Sequence, residues 1–322
     1  MEFRDSRDSF SKIAALYYLA DMSQDEIAEV YGISRFKVSR ILKKCRSMKI
    51  VEFKVNSGPE YLPKLENDII EKLGVSRAII VPGGSTANES KANVARRAAK
   101  YLEENIKDDM KIGLSWGSTM QLTTSYYPSG ASFPKATVVQ LSGSLCNRTI
   151  LGDGYTDGNI FVLQLATKLQ SSWSLFMVPF IVQNPALKGM LYEETEIRNH
   201  VALFRELDLA IVGIGSEDPA KSVSYISGYL TYEETKKLAD EGMAADVCGT
   251  RLTIDGEIRE TILTNRVLTI DLKDLRRTPE VCAVGAGTEK ALSFIAGCRG
   301  GYINTVIMDE ICALSIINRL RS

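Results

Sequence analysis

The chain has 322 residues, a length that suggests two domains, because single hydrophobic cores rarely grow beyond about 250–300 residues. Hydrophobic residues make up 45% and charged residues 25%, which is the composition of an ordinary globular protein and excludes disordered and fibrous classes. The sequence has no run of about 18 apolar residues, and five of its first ten residues are charged. We therefore expect no membrane span and no signal peptide, and we predict a cytoplasmic protein.

The net charge of −1 conceals an asymmetry between the two ends of the chain. Residues 1–57 carry a net charge of +3, and residues 58–322 carry −4.

The six cysteines are scattered without a C-x-x-C pair or a histidine at ligand spacing: Cys45, Cys146, Cys248, Cys282, Cys298 and Cys312. This distribution predicts reduced core thiols, and we expect neither a metal site nor a cofactor.

The first 57 residues show the pattern of a helix-turn-helix. Apolar residues recur at helical spacing in Ser9–Ala20, and Ser23-Gln-Asp-Glu26 has the form of a capping box that opens a second helix. We expect Ile27, Ala28 and Val30 to form the buried face of that second helix. Gly32 provides a left-handed turn, and Ser34 caps a third helix with Val38, Ile41 and Leu42 inward. An alternating stretch, Ile50–Val55, predicts a strand resembling a wing, and Asn56–Pro59 predicts a linker.

The third helix is strongly basic. Between Ser34 and Lys49 the sequence has seven basic residues and no acidic one. A solvated helix face would give such a run by itself, but the two caps and the glycine turn favour DNA binding. Arg and Lys can pair with guanine edges or phosphates, and hydroxyls with phosphates. We assign contacts with double-stranded operator DNA to Gln24, Ser34, Arg35, Phe36, Lys37, Ser39, Arg40, Lys43 and Lys44.

The remainder, residues 58–322, alternates strands with helices after an amphipathic helix at Glu60–Leu73. The predicted strands are Ala78–Val81, Lys111–Leu114, Thr137–Leu141, Leu175–Val178, Leu209–Ile214, Val267–Ile270, Val281–Val284 and Thr305–Met308. The predicted helices are Asn88–Ile106, Asp157–Leu169, Glu193–Leu207, Tyr232–Glu241, Glu289–Cys298 and Glu310–Leu320. This order predicts an α/β, Rossmann-like, mainly parallel sheet with helices on both faces, following the all-α N-terminal domain. We expect the apolar stripe of Glu60–Leu73 to help pair two chains.

One strand-to-helix turn resembles an anion-binding loop. In Ile112–Thr119, Gly113 and Gly117 allow backbone amides to approach an anion, and Ser115, Ser118 and Thr119 add hydroxyls. A plain turn without a ligand would also fit this spacing. The segment lacks the lysine of a P-loop and does not match G-x-G-x-x-G, so a dinucleotide is not expected.

Further small-residue turns follow later predicted strands: Ser142-Gly143-Ser144, Gly213-Ile-Gly215-Ser216 and Gly285-Ala-Gly287-Thr288. In an open parallel sheet such loops converge on one crevice, which predicts a polar ligand site. Asp246 could accept hydrogen bonds from sugar hydroxyls there, and Lys290 could neutralise a phosphate. A helix cap and a surface charge are the alternatives for these two residues.

Several segments together resemble the SorC/DeoR-type sugar-binding transcriptional regulators of bacteria over essentially the whole chain. They are Ala15–Leu19, Ser23–Ala28, Ile33–Arg40, Gly113–Gly117, Val138–Leu141, Val212–Gly215, Ser227–Leu230, Asp246–Gly249 and Arg299–Asn304 leading to Asp309. The resemblance implies an effector domain with the fold of sugar-phosphate isomerases and deaminases but without catalytic duty. It also implies a phosphorylated sugar effector that changes operator affinity, and a homo-oligomer, a dimer or a tetramer.

By this resemblance the effector-binding residues are Gly113, Ser115, Trp116, Gly117, Ser118, Thr119, Asp246 and Lys290, and the small-residue turn after Leu141 adds Gly143. The chain departs from the family pattern in three places. Ala245 stands where a glycine often precedes the aspartate, and Gly285-Ala286-Gly287 stands where family members often carry paired glycines. The loop Ser142–Asn147 has no lysine, so a Schiff base is not available there.

Two other functions stay open at this point. The first is an active sugar-phosphate isomerase or deaminase with an added DNA-binding domain, which would need a general base. The only histidine, His200, falls in a predicted helix and is expected to be structural, and Asp246 has no evident acid partner, so we predict no catalytic residue and no enzyme. The second is an interaction protein whose ligand pocket is inactive.

Overall fold

The computed structural model describes residues 5–51, 61–130, 132–144, 158–216 and 218–321, with Tyr61 described by its backbone alone. The chain divides into two compact units, Met1–Ser57 and Gly58–Ser322.

The N-terminal unit contains three helices, α1 (Arg7–Tyr18), α2 (Gln24–Tyr31) and α3 (Arg35–Ser47). The capping box at the start of α2 is present, since the Ser23 hydroxyl accepts from the Glu26 amide and the Glu26 carboxylate accepts from the Ser23 amide. Gly32 ends α2 with φ of 61°, in the left-handed region that glycine adopts without steric cost. Ser34 caps α3 by accepting from the Lys37 amide at 3.3 Å. The helix-turn-helix predicted from local signals is therefore confirmed.

The core of this unit is formed by side chains from all three helices: Phe10, Ile13, Ala14, Ile27, Val38, Ile41, Leu42 and Cys45. Val30 is 57% exposed, so its expected burial was wrong: α2 turns only Ile27 fully inward. Residues 50 and 51 form a bend rather than the start of the predicted wing strand. The rest of that strand and the Asn56–Pro59 linker lie outside the described residues.

Within the described residues, the larger unit is built on a seven-stranded parallel sheet in the order β1-β9-β8-β5-β2-β3-β4, with a separate antiparallel hairpin, β6–β7. The strands are β1 (Arg77–Val81), β2 (Lys111–Leu114), β3 (Thr137–Gln140), β4 (Ser172–Ser174), β5 (Leu209–Gly213), β6 (Met243–Val247), β7 (Thr250–Thr253), β8 (Glu280–Gly285) and β9 (Thr305–Asp309). The predicted α/β class with a mainly parallel sheet is confirmed.

Helices connect these strands and cover the sheet, as parallel strands require. They are α4 (Tyr61–Leu73), α5 (Ala87–Asn105), α6 (Ser118–Tyr126), α7 (Gly158–Leu169), α8 (Pro185–Glu193), α9 (Thr195–Leu203), α10 (Val223–Ile226), α11 (Tyr232–Asp240), α12 (Leu272–Arg277), α13 (Ala291–Arg299) and α14 (Glu310–Arg321). Side chains of the strands belong to two separate hydrophobic clusters. Val139 and Val212 belong to one cluster, and their neighbours Val138 and Ile211 belong to the other. The sheet is therefore buried on both faces.

Three sequence-based predictions were wrong. The edge strand is Ser172–Ser174 and not Leu175–Val178, because Phe176 and Val178 reach the core from a segment that follows the strand. Val267–Ile270 makes only isolated antiparallel bridges. The predicted helix Glu193–Leu207 is shorter than expected, since α9 spans Thr195–Leu203 and the extended Glu194 separates it from α8, which ends at Glu193.

Helix α4 also differs from its expected role. Its apolar residues Leu65, Ile69 and Leu73 are buried in the core of their own unit, in the cluster that includes Ile316 and Ile317 of α14. The stripe predicted to pair two chains is therefore covered within the chain.

Candidate functional site

The outer face of α3 carries the predicted DNA contacts. Phe36, Arg40, Lys43 and Lys44 are exposed, while Val38 on the opposite face is fully buried. Ser34 and Arg35, at the start of the helix, are also exposed, and Lys37 and Ser39 are half-buried. This arrangement presents cationic and hydroxyl groups on one side of the helix, as a helix that enters the major groove requires.

The remaining predicted contact, Gln24, lies outside α3, and Arg35 has an acidic partner on the same helix as Gln24. Gln24 is the first residue of α2 and is half-buried. Arg35 forms an ion pair with Asp25 at 3.8 Å, with both side chains about two-thirds exposed. Such exposed pairs are worth little, so the guanidinium can be redirected towards DNA at small cost.

At the carboxyl edge of the sheet lies a cavity of about 220 Å³, here called the effector cavity. The loops after β2, β3, β5 and β8 converge on it, as predicted, because these strands are neighbours in the sheet. It brings together seven of the predicted effector residues: Ser115, Trp116, Gly117, Ser118, Thr119, Asp246 and Lys290.

Gly113 and Gly143 do not line the cavity, contrary to expectation. Gly113 lies within β2, where a Cβ atom would come within 2.8 Å of the Leu141 side chain. At Gly143 a Cβ would meet the backbone oxygens of Val178 and Pro179 at 2.7 Å. Both glycines therefore permit close packing behind the cavity.

The N-terminus of α6 faces the cavity. Gly117 precedes the helix with φ of 139°, and no side chain caps the helix amides. Gly117, Ser118 and Thr119 all line the cavity, so the first amides and the positive end of the helix dipole are placed for an anion. The Ser115 hydroxyl accepts from the Gly213 amide at 2.8 Å and so ties β2 to β5, keeping its own hydrogen for donation.

The other end of α6 is held by a lysine of α7. The Lys168 ammonium donates to the carbonyl oxygens of Thr124, Ser125 and Tyr127 at 2.9, 2.7 and 2.6 Å. A cation at the C-terminus satisfies carbonyls that have no partner within the helix and complements its dipole. The positive N-terminal end of α6 therefore faces the cavity, and the Lys168 ammonium lies against its negative C-terminal end.

Lys290 ends a short 3₁₀ helix, Thr288–Lys290, at the edge of the cavity. Its ammonium donates to the Ile214 carbonyl oxygen at 3.0 Å. Burial lowers the pKa of this lysine from its ordinary value, and the nearby carboxylates of Glu289 and Asp246 partly oppose that shift. Lys290 is thus a desolvated cation whose charge an incoming anion would stabilise.

Asp246 lies in the β6–β7 hairpin, which sequence reasoning missed. Its Oδ1 accepts from the Gly249 amide at 2.8 Å, and its Oδ2 lies 3.5 Å from Nη2 of Arg251. The hairpin is docked on the end of β5, where the Gly215 amide donates to the Asp246 carbonyl oxygen at 2.8 Å. A Cβ at Gly215 would lie 2.5 Å from Cβ of Asp246, so this approach requires glycine. Asp246 therefore shapes the hairpin turn as well as lining the cavity.

Four charged lining residues were not predicted: Lys91, Lys221, Arg251 and Glu289. Lys91 comes from α5 and is half-buried, and burial lowers its pKa. Lys221 pairs with Glu289 at 3.4 Å, and buried Arg251 donates to the Ser222 hydroxyl at 2.7 Å. No local motif surrounds these residues, so only the topology could have revealed them.

His200 has structural partners in the described part of the chain. Its two ring nitrogens contact the Ser174 hydroxyl at 2.7 Å and the Gln140 carbonyl oxygen at 2.8 Å, and its ring stacks on Phe176. Burial lowers its pKa, which favours the neutral form. The histidine joins α9 to β3 and β4 and lies outside the cavity lining.

The described residues contain neither a candidate metal site nor a candidate membrane-spanning helix. No cluster of three or more His, Cys, Asp or Glu side chains could hold a metal ion. No helix in this part of the chain has the length and apolar character needed to cross a membrane.

Comparisons with known proteins agree with both units. Residues 59–318 match a family model described as "Putative sugar-binding domain", and residues 11–47 match one described as "Sigma-70, region 4". The chain is 27% identical to the deoxyribonucleoside regulator of Bacillus subtilis over 98% of its own length and 99% of that protein. It is 25% identical to the sorbitol operon regulator of Klebsiella pneumoniae over 96% of its length and 98% of that protein.

The solved structures give the same result. The full-length sorbitol operon regulator SorC from Klebsiella pneumoniae superposes with a TM-score of 0.73 at 25% identity, covering 98% of this chain and 100% of that one. A transcriptional regulator from Streptococcus pneumoniae shares the fold, with a TM-score of 0.74 at 23% identity over 81% of this chain and 98% of that one. The relatives are named as regulators and not as enzymes, in agreement with the prediction. The chain belongs to the SorC/DeoR-type family of sugar-binding transcriptional regulators.

Proposed function

We propose that this protein binds operator DNA through α3 and that a phosphorylated sugar or related metabolite, bound in the effector cavity, sets its operator affinity. The observation that carries the proposal is the meeting of an uncapped helix N-terminus, at Gly117–Thr119, and a desolvated lysine, Lys290, in one cavity. Backbone amides and an ammonium together are a common phosphate site.

The charge of the cavity supports a phosphate monoester. Among the residues that the structure describes, the lining carries four cationic side chains, Lys91, Lys221, Arg251 and Lys290, against two carboxylates, Asp246 and Glu289. This leaves an excess of two positive charges, and a phosphate monoester carries about −1.5 to −2 at pH 7. A neutral sugar would leave that excess uncompensated.

Polar groups for the sugar portion line the same cavity. The Asp246 carboxylate is positioned by Gly249 and Arg251 and keeps lone pairs for ligand hydroxyls. Trp116 packs edge-on against Phe180, with ring centroids 4.9 Å apart, and both residues line the cavity. We assign orientation of the sugar to Asp246 and shape selection to this aromatic pair.

We further propose that the protein acts as a homo-oligomer, a dimer or a tetramer. Helix-turn-helix proteins commonly read two half-sites with two copies of the motif. Since the apolar face of α4 is buried within its own unit, pairing must use other surfaces. Residues of α7 and of the edge-strand region offer exposed apolar side chains: Ile160, Leu163, Trp173 and Met177.

Operator affinity measured with and without a sugar phosphate tests the proposal. The ligand is first chosen by a thermal-shift screen of phosphorylated sugars and polyols. An effector shifts operator affinity only through its different affinities for the two states. We expect Lys290→Ala and Gly117→Val to bind operator like the parent but to lose the response. A hydrogen bond to a charged group is worth about 1.5–3 kcal/mol, so effector affinity should fall roughly 10- to 150-fold in Lys290→Ala.

Lys188→Ala is the matched control for this experiment. Lys188 is also a half-buried lysine with a lowered pKa, but it lines a different cavity. It should respond to the effector as the parent does. A normal response in both Lys290→Ala and Gly117→Val would show that the effector binds elsewhere.

A further inference from the structure

Phe36 is an unusual residue on the surface of α3. It is the second residue of the helix and is 83% exposed. The other apolar residues of α3 are buried, namely Val38, Ile41, Leu42 and Cys45. Phe36 therefore adds nothing to the core of the N-terminal unit, and its ring is available for contact with a partner outside the chain.

The neighbours of Phe36 on the helix surface are polar. Ser39, Arg40 and Lys43 follow it at three, four and seven residues, a spacing that places all four side chains on one helix face. The side chains beside it can bind phosphates, but an aromatic ring cannot. Residues at the N-terminal end of a recognition helix are those that reach base edges.

We propose that Phe36 is a specificity-determining residue that contacts the 5-methyl group of a thymine in the major groove, at one position in each operator half-site. This inference rests on the proposed DNA-binding function. Among the groups that base pairs present in the major groove, the thymine methyl is the apolar one, and phenylalanine is among the side chains that contact it. An exposed ring at the groove-facing end of α3 matches that group in polarity.

The test uses the full chain and a DNA duplex selected by it from a random-sequence library. Each thymine of that duplex is then replaced by uracil, which removes only the methyl group. We expect one position per half-site where uracil weakens binding, by about 3- to 5-fold, the effect of exposing one methyl-sized apolar group. In Phe36→Ala this position should become insensitive to uracil, and Phe36→Leu should keep part of the sensitivity.

Leu19→Ala is the matched control, because Leu19 is 84% exposed and lies just after α1, off the recognition helix. It should keep the uracil profile of the parent. The inference is overturned if Phe36→Ala keeps the sensitive position, or if it weakens binding to the thymine and uracil duplexes equally. A parent chain that selects no duplex would refute the DNA-binding function itself, and a parent that binds tightly without any uracil-sensitive position would refute only the role of Phe36.

Discussion

The two units carry their cationic side chains in opposite environments. On α3, Arg40, Lys43 and Lys44 are exposed to water. In the effector cavity, burial lowers the pKa of Lys91 and Lys290, and Arg251 is only 8% exposed. Exposed cations suit a partner that is itself a long, hydrated polyanion, whereas desolvated cations suit a small anion that enters and replaces their water.

The two sites also differ in how readily they can be recognised in the sequence. The cations of α3 lie within one helix, so their density is apparent in the sequence. Those of the cavity come from α5, the segment Pro219–Lys221, β7 and the segment Thr288–Lys290, which the parallel sheet brings together. The predictions below test the contrast between the two environments.

The largest effect is expected on α3. The double variant Arg35→Ala and Arg40→Ala should lose specific operator binding while keeping the fold, because both side chains are exposed. Each base-reading contact is worth about 1–3 kcal/mol, so the pair should weaken binding by roughly 30-fold or more. Fluorescence anisotropy with labelled operator measures this, and unchanged affinity would refute the assignment of α3 as the recognition helix.

The second effect is the pH dependence of effector binding. Since the pKa of Lys290 is lowered in the folded protein, its ammonium loses its proton below the ordinary value of 10.5 as pH rises. A phosphate monoester is already largely dianionic above pH 7, so it adds little to the pH dependence there. Effector affinity should therefore decrease as the pH rises from 7 to 10, by up to roughly tenfold. Calorimetric titration between pH 7 and 10 would show the decline.

Lys290→Arg tests the origin of that decline, because arginine stays protonated throughout this range. The variant should have a flatter pH profile than the parent. A parent profile that is flat to pH 10, or an equally steep one in Lys290→Arg, would count against Lys290 as the phosphate contact.

A smaller effect is expected for Lys91. Lys91 faces the cavity from α5, near Lys221 and Glu289. The variant Lys91→Ala should bind the effector about fivefold more weakly, a loss of about 1 kcal/mol. Operator affinity without effector should not change. Lys100→Ala on the same helix is the control, since Lys100 is exposed and pairs with Glu104. Equal effector affinities of the Lys91 and Lys100 variants would show that Lys91 does not contribute to effector binding.

The smallest effect is on stability. The pKa of buried His200 is lowered, so below pH 6.5 the unfolded chain binds a proton that the folded chain does not. Stability of the larger unit should therefore fall as pH decreases from 6.5, by at most about 1.4 kcal/mol per pH unit from this group. Both tryptophans, Trp116 and Trp173, lie in this unit, so their fluorescence in denaturant titrations follows its unfolding.

His200→Gln isolates this contribution, because other groups that titrate are the same in both proteins. The slope of stability against pH between 5.5 and 6.5 should be smaller in the variant. Identical slopes would mean that His200 is protonated in the folded protein as readily as in the unfolded chain.

The sequence predicted most of what depends on local signals. The caps at Ser23 and Ser34 and the left-handed Gly32 were found because each depends on a few neighbouring residues. The sheet class followed from the alternation of strands and helices. Strand β4 was misplaced because its residues, Ser172–Ser174, are largely exposed at a sheet edge and lack the apolar run that marks a buried strand.

Other parts of the site could not be predicted, for a physical reason. The hairpin that carries Asp246 turns through Cys248 and Gly249, both with positive φ, but only glycine signals such a turn in sequence. Gly113 looked like part of an anion loop, yet its role is to avoid the side chain of Leu141. A glycine that permits packing and one that admits a ligand are identical in a sequence.

The contact between Lys168 and the end of α6 has a consequence for how this cavity can change by mutation. The register of α6 is fixed by three carbonyl contacts at one end, while residues 117–119 at the other end line the effector cavity. We therefore expect substitutions at Ser118 or Thr119 to change the shape of the cavity without shifting the helix. With a metabolite bound where we propose, a helix anchored at its far end confines the cost of each such substitution to the cavity lining.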